Sequence, residues 1–569
     1  MAASRKSILI VAVPLWIFFL IVYSSADKAP YTSFAKNAAS APLIGYYDYV
    51  IIGGGTAGCP LAATLSASAK VLLLERGGLP YDNPDVVHIA GFVKLLTDPS
   101  PYSAAQLFIS TDGVFNHRAR VLGGGSAINA GFYTRASRDY VNQVGWDPRL
   151  VNESYEWVER KVAFRPRLRQ WQAAVREGLL DAGVLPDNGF TYEHLHGTKI
   201  GGTIFDEDGV RHTAADLLEY AQPNNITVYL HAAVHQILFT TSPGQRPKAN
   251  GVLFKDSNGR KHRAYLNSGG ASEIIVSAGA MGSPQLLMLS GIGPGQELRA
   301  RGINVVMEQA FVGQGMSDNP MNALLIPSIR PVEISLVQVV GISDVGSYIE
   351  AASGLLNSSS IFDYVNVANT VSPVIHSFNF SIPTNQSIQD MDASSGGVGV
   401  VLQKIMGPLS SGYLELESKD PNRNPRVTFN YFKDERDVAR CVGGMEILRK
   451  VVQSGALSEF LKPSTSFESL QKLMLSLPIN LRWKHVAATY SMEQYCRDTV
   501  MTLWHYHGGC QVGRVVDRDY RVIGVHSLRV IDGSTFYFSP GTNPQATLMM
   551  LGRYMGQKIL QQRNPQTEN

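Results

Sequence analysis

The chain has 569 residues, 44% of them hydrophobic and 17% charged, enough to bury large cores and to form two domains. Its 50 Lys and Arg against 47 Asp and Glu leave a net charge of only +3 with no dense basic run, so nucleic acid is not an expected partner. Four cysteines exclude a disulfide scaffold, and no repeat, low-complexity tract or charged linker marks a separate module.

At the N-terminus, Arg5 and Lys6 precede an apolar run from Ile8 to Val22 that Pro14 interrupts, and Ser24-Ser25-Ala26 follows with the small residues favoured for signal cleavage. The run is shorter than the ~20 residues of a membrane span, so residues 1–26 read as a signal peptide cleaved after Ala26, with a retained anchor as the alternative. The expectation is entry into the secretory pathway, an extracellular or cell-wall address, and no stable membrane span after cleavage. Five glycosylation sequons agree with that route, at Asn152, Asn225, Asn357, Asn379 and Asn385. The last three lie in a Ser- and Asn-rich stretch and are the expected surface sites.

The segment Tyr47 to Gly78 reads as strand, tight turn, helix and strand. Asp48 leads into the apolar run Tyr49 to Ile52. Gly53, Gly55 and Gly58 follow in G-x-G-x-x-G spacing before the helix-prone Leu61 to Leu65, and Val71 to Leu74 returns as a strand. In such a unit the first glycine allows the turn, the second lets backbone approach a pyrophosphate, and the third lets helix and strand pack closely. The helix N-terminus faces the phosphates. Glu75, at the end of the second strand, sits where a carboxylate accepts hydrogen bonds from an adenosine ribose. The motif predicts dinucleotide binding without separating NAD from FAD.

Two more glycine-rich stretches bear on that choice. Arg120 to Asn129, RVLGGGSAIN, can press backbone against a flat ligand, with Ser126 and Asn129 as side-chain hydrogen bonders. Ser277 to Gly293 follows the β-branched strand Ile274 to Val276 and predicts a helix entered through Ser283 and Pro284 at N-cap and N1. Turns without a ligand are the alternative for each. Further on, Leu324 to Ile326 and Ile334 to Ile342 are apolar enough to line a pocket or simply to pack a core. Gly412 to Ser418 and Arg426 to Phe432 alternate as half-buried strands do.

Near the C-terminus, Trp504 to Cys510 (WHYHGGC) and Ser539 to Thr547 (SPGTNPQAT) present His505 and Asn543. An imidazole accepts a proton near neutral pH, and an amide N–H can hold an alcohol oxygen. His507 competes with His505, because alternate residues of a strand share a face. His505, His507 and Cys510 could also be metal ligands by residue type, but they lack zinc-site spacing, and no metal is expected. Leu528 to Phe536 (LRVIDGSTF) reads as a buried strand ending at Asp532-Gly533-Ser534. Pro544 to Leu551 begins the last helix, with Asn543 at or beside its N-cap and the dipole's positive end stabilising an electron-rich ligand.

In order along the chain, GGGTAG, ARVLGGGSAIN, GAMGSPQLLMLSGIG, H-x-x-G-G-C and LRVIDGSTF with NPQAT resemble the glucose/methanol/choline (GMC) oxidoreductase family from about Tyr46 to the end. The stretches WDPRLVNESYEWVER, GFTYEHLHGTKIGGTIFD and TNPQATLMMLGRYMG are most similar to the plant branch that holds HOTHEAD and the mandelonitrile lyases. The resemblance implies an α/β fold: a discontinuous Rossmann-like FAD-binding domain at 46–131, 200–310 and 500–569. A substrate domain at 132–199 and 311–499 is implied to carry a six-stranded antiparallel sheet flanked by helices. It implies FAD held by Gly53, Gly55, Thr56, Ala57, Gly58, Glu75, Arg76, Val121, Gly124, Ser126, Asn129, Ala130, Val234, Trp504, His505, Asp532, Gly533, Asn543, Pro544 and Gln545. It selects His505 over His507 as base. Cys441 and Cys496 match a bridge of the lyase branch, while Cys59 and Cys510 are expected reduced and buried.

The branch contains both alcohol oxidisers and lyases that cleave cyanohydrins on a redox-idle flavin. The lyases carry a second histidine where Asn543 stands, a tyrosine where Leu503 stands and a cysteine near Ile349. Those departures favour a secreted enzyme oxidising a primary alcohol, for which the HOTHEAD-like resemblance implies a long-chain ω-hydroxy fatty acid. Mandelonitrile lyase activity and a non-catalytic flavin-binding protein are the alternatives. Oxygen and other electron acceptors fit these residues equally.

Overall fold

The computed structural model describes residues 30–268, 271–356 and 396–563. The signal-like segment and the sequons at Asn357, Asn379 and Asn385 lie outside the described residues. In chain order, the elements that build the two main sheets and their helices are β1 (Ala35–Asn37), β2 (Tyr49–Ile52), α1 (Gly58–Leu65), β3 (Val71–Leu74), β4 (Asp187–Phe190), β5 (Gly197–Ile200) and β6 (Ile226–Leu230). They continue with β7 (Glu273–Val276), α2 (Gly279–Leu289), β8 (Met321–Pro327), β9 (Val339–Ile342), β10 (Ser347–Ser353) and β11 (Val398–Ile405). The last are α3 (Glu435–Gln453), α4 (Met492–Asp498), β12 (Leu528–Val530) and α5 (Gln545–Arg563).

The first sheet is parallel throughout, in the order β1-β6-β3-β2-β7-β12. Its central strands β2, β3 and β7 are apolar because both faces are covered, the condition that produces continuous hydrophobic runs in parallel sheets. β1 joins the sheet ahead of the start expected at residue 46. Gly53 takes φ +105° as the chain leaves β2, and a side chain there would meet the Ser277 carbonyl, so the turn admits only glycine. Gly58 lets α1 settle on that turn, since a Cβ would lie 2.0 Å from the Gly53 carbonyl oxygen. All eight residues of α1 are buried, and burying Leu61 and Leu65 stabilises the unit by about 2 kcal/mol each. On its other side α1 meets α5, where Gly552 and Gly556 bring the backbones together.

The second sheet has the order β8-β11-β10-β9-β5-β4. Four of its pairings are antiparallel, as expected, but β4 joins β5 in parallel at the edge. Leu324 to Ile326 on β8 are buried in the core and do not line the cleft described below, so packing is what they do. Helix α3 covers this sheet and is joined to α4 by a disulfide between Cys441 and Cys496. Cys59 and Cys510 are free and buried.

One predicted boundary is corrected. Helix α2 starts at Gly279, so Ser283 and Pro284 fall inside it instead of forming its cap. The cap comes from elsewhere: the Asp532 carboxylate accepts from Gly279 N at 2.9 Å and from the Ser283 hydroxyl. No described helix is long and apolar enough to cross a membrane. Among the described sequons, Asn225 is half-buried, with its amide donating to the Ser66 carbonyl at 2.9 Å. Asn152 is exposed.

Candidate active site

A cleft opens at the carboxyl ends of the parallel strands, where α/β sheets bind their ligands. Gly53 follows β2, Glu75 follows β3, Ser277 follows β7 and Asp532 follows β12, and all four line it. Thr56, Ala57, Arg76, Val121, Gly124, Asn129, Ala130, Val234, Trp504, His505, Gly533, Asn543, Pro544 and Gln545 line it too. Of the expected cofactor residues, Gly58 and Ser126 do not. Gly58 serves packing. Ser126 turns away because its hydroxyl donates to the Gly123 carbonyl at 2.7 Å and accepts from Ala214 N at 2.9 Å, which corrects its reading as a ligand-facing group.

The walls fit a dinucleotide. A Cβ on Gly55 would meet nothing closer than 3.9 Å, so bare backbone faces the cleft beside the N-terminus of α1. Gly124 presses against this loop, and a Cβ there would sit 2.7 Å from the Gly55 Cα. Glu75 accepts from Gly54 N at 3.0 Å and Gly77 N at 2.7 Å. Burial pushes its carboxyl up, and those two N–H groups and Arg76 oppose the push. Asn129 donates to Gln545 Oε1 at 2.9 Å, and Gln545 donates to the Phe132 carbonyl at 2.7 Å, joining the second glycine loop to the start of α5.

His505 and Asn543 face this cleft together. Burial, then the nearby Lys404 and His507, hold the His505 imidazole well below its ordinary pKa, so it is neutral at physiological pH. Its Nδ1 lies 3.2 Å from the Tyr348 hydroxyl, and its Nε2 has no partner among the described residues. The Asn543 side chain makes no hydrogen bond to a described residue, and its Oδ1 is buried. His507 points elsewhere: its Nδ1 donates to the His505 carbonyl at 3.0 Å, and it does not line the cleft. Among the described residues no cluster of three His, Cys, Asp or Glu could hold a metal ion.

The loop carrying His505 is held from below. The Asp318 carboxylate accepts from the hydroxyls of Thr502 and Tyr431, both at 2.6 Å, and from His505 N. Burial pushes Asp318 up to about 7. Thr502 in turn accepts from Trp504 N at 3.0 Å, fixing the turn in which Trp504 adopts φ +63°.

Sequence reasoning missed three groups here: Tyr348, Glu350 and Lys404. On β10, Tyr348 and Glu350 share the face toward His505. Ile349 alternates to the other face, paired in register with Gln403 and packed in the core. Ile349 is therefore not a cleft residue, and its comparison with the lyase cysteine carries no weight. Lys404 on β11 lines the cleft, opposite Tyr348 in register. Two signals were available: the Tyr-x-Glu alternation, and a lone cation inside the apolar strand Val398–Ile405.

Models of the GMC oxidoreductase match residues 47–321 and 408–552. The chain is 49% identical over 558 residues to Protein HOTHEAD of Arabidopsis thaliana, covering 95% of this chain and 93% of that protein. It is 42% identical to (R)-mandelonitrile lyase 2 of Prunus dulcis (94% and 90% covered) and 43% identical to the sinalpyl alcohol oxidase Nec3 of Nesocodon mauritianus (91% and 89%). Among solved structures, that of a formate oxidase from Aspergillus oryzae, determined for the modification of its FAD, superposes with a TM-score of 0.72. Identity there is 18%, covering 92% of this chain and 100% of that one. The glycine cradle at the strand ends, the His505 and Asn543 pair and these matches agree, and the chain belongs to the GMC oxidoreductase family.

Proposed function

We propose that the protein is an FAD-dependent oxidoreductase that oxidises a primary alcohol, with His505 as base and Asn543 as donor to the substrate oxygen. FAD is the cofactor: Gly53 and Gly55 fit the pyrophosphate turn that Gly58 packs from behind, Glu75 fits the ribose, and Gly124 and Asn129 to Gly131 fit a flat ring. When bound, FAD supplies the hydride acceptor. The observation that carries the reading is an imidazole whose Nε2 no described residue engages and an amide that no described residue engages, both on one cleft.

His505 Nε2 takes the hydroxyl proton as the carbinol carbon gives up hydride. Asn543 donates to the oxygen, where negative charge develops and a preorganised donor stabilises it. Leu503, which lines the cleft, offers no proton-transfer group of the kind a tyrosine would supply for cyanohydrin cleavage. For the substrate, the HOTHEAD-like resemblance supports a long-chain ω-hydroxy fatty acid, and the named alcohol oxidase among the relatives supports testing aryl alcohols beside it. A secretory address belongs to the same reading, supported by the N-terminal segment and by the Cys441–Cys496 disulfide, since such bonds persist in oxidising compartments.

The test is anaerobic addition of candidate alcohols or mandelonitrile to purified holoenzyme. Bleaching of the flavin by a hydroxy fatty acid or an aryl alcohol supports oxidation. Cyanide release with the flavin spectrum unchanged would replace the reading with a lyase, and no response to either leaves a flavin-binding protein.

A further inference from the structure

Tyr348 is fully buried on β10, and its hydroxyl has three polar neighbours. The Thr542 carbonyl lies at 3.0 Å, His505 Nδ1 at 3.2 Å and Asn319 Nδ2 at 3.4 Å. A phenol has one proton to give and lone pairs to receive with. A backbone carbonyl can only accept, so the proton goes to Thr542. The amide N–H of Asn319 and the His505 ring must then both donate to the phenol oxygen. A neutral imidazole carries one ring proton, which this count puts on Nδ1, leaving the lone pair on Nε2.

The same hydroxyl therefore reaches both members of the pair. It grips His505 directly, and through the Thr542 carbonyl it grips the residue before Asn543. The two loops come from distant parts of the chain, and Tyr348 reaches them from the second sheet, where Lys404 lies over its ring at 5.5 Å from the centroid. Burial raises the phenol's pKa far above neutrality, so the hydroxyl keeps its proton.

We propose that Tyr348 is a positioning residue that fixes His505 in the tautomer with Nδ1–H, presenting Nε2 as the proton acceptor, and holds the Thr542-Asn543 turn at the same time. The proposal rests on the reading of His505 as base, but its first test does not need a substrate.

Histidine-selective 15N labelling of the holoenzyme, with His505→Gln to assign the signal, reads the ring by magic-angle-spinning NMR. The expected wild-type spectrum has His505 protonated at Nδ1 and bare at Nε2. In Tyr348→Phe, which keeps the ring but removes the acceptor, the proton should redistribute toward Nε2. Flavin bleaching by an accepted alcohol should slow by about tenfold to a hundredfold, part of what a general base contributes, with little change in substrate affinity. A wild-type His505 protonated at Nε2, or a variant with an unchanged tautomer, overturns the proposal. Should the variant fail to retain flavin, the wild-type spectrum alone decides. A failure of all alcohols to bleach the flavin sinks the proposed function and leaves the tautomer result standing.

Discussion

Lys404 and Glu350 meet across β11 and β10, Nζ to Oε2 at 2.5 Å, with neither side chain exposed to solvent. The pair sits beside His505, and Lys404 is among the charges that keep the imidazole neutral. Because a base works only when unprotonated, activity rises with pH through the pKa of His505, and that rise is expected below the ordinary imidazole range.

The double variant Lys404→Met/Glu350→Gln should move that acid limb upward in pH, because it removes the repelling cation without stranding a buried carboxylate. The limb is read from the pH dependence of flavin bleaching by an accepted alcohol. A limb that stays in place, or moves down, would contradict the role given to Lys404.

His505→Ala is expected to lower turnover by about a hundredfold to ten-thousandfold, the usual contribution of a general base, with flavin content unchanged. Full turnover would remove His505 from the mechanism. His507→Gln, by contrast, should keep activity within a few-fold, since that ring donates to a carbonyl and stays out of the cleft.

Asn543→Ala should cost roughly tenfold to a thousandfold in rate, reaching at its upper end the loss expected for one preorganised oxyanion donor. Single-turnover reduction measures this free of the reoxidation step.

Gly124→Val should abolish flavin retention, because a side chain there drives into the Gly55 Cα at 2.7 Å and spoils both glycine loops at once. The ratio of flavin to protein absorbance after gel filtration is the readout. Normal loading would show that the two loops do not form the cradle.

Replacing Cys441 and Cys496 by serine opens a link across a sequence separation of 55 and should lower stability by about 4 kcal/mol on chain-entropy grounds. Neither cysteine lines the cleft, so the flavin spectrum should persist while the unfolding midpoint falls.

Local pattern carried the reading furthest where local physics sets the structure. The turn at Gly53, helix α1 and strand β3 follow from glycine spacing and apolar runs, and β3 has the bounds read from sequence. The start of α2 was misread because its cap, Asp532, stands 253 residues away. Ser126 looked like a ligand group because a hydroxyl in a glycine loop gives no sign of the Gly123 carbonyl and Ala214 N that consume it. Ile349 illustrates the period of two: a slip of one position exchanges the two faces of β10, hiding Tyr348 and Glu350 behind a residue that packs the core.

The cap that Asp532 places on α2 also has a temporal consequence. Strands β2, β3 and β7 emerge from the ribosome hundreds of residues before Asp532, Asn543 and Gln545, yet the cleft needs those last residues to close its wall. Cofactor loading is thus expected to await the finished polypeptide, and a chain truncated before Asp532 should lose the site even though its glycine fingerprint is intact.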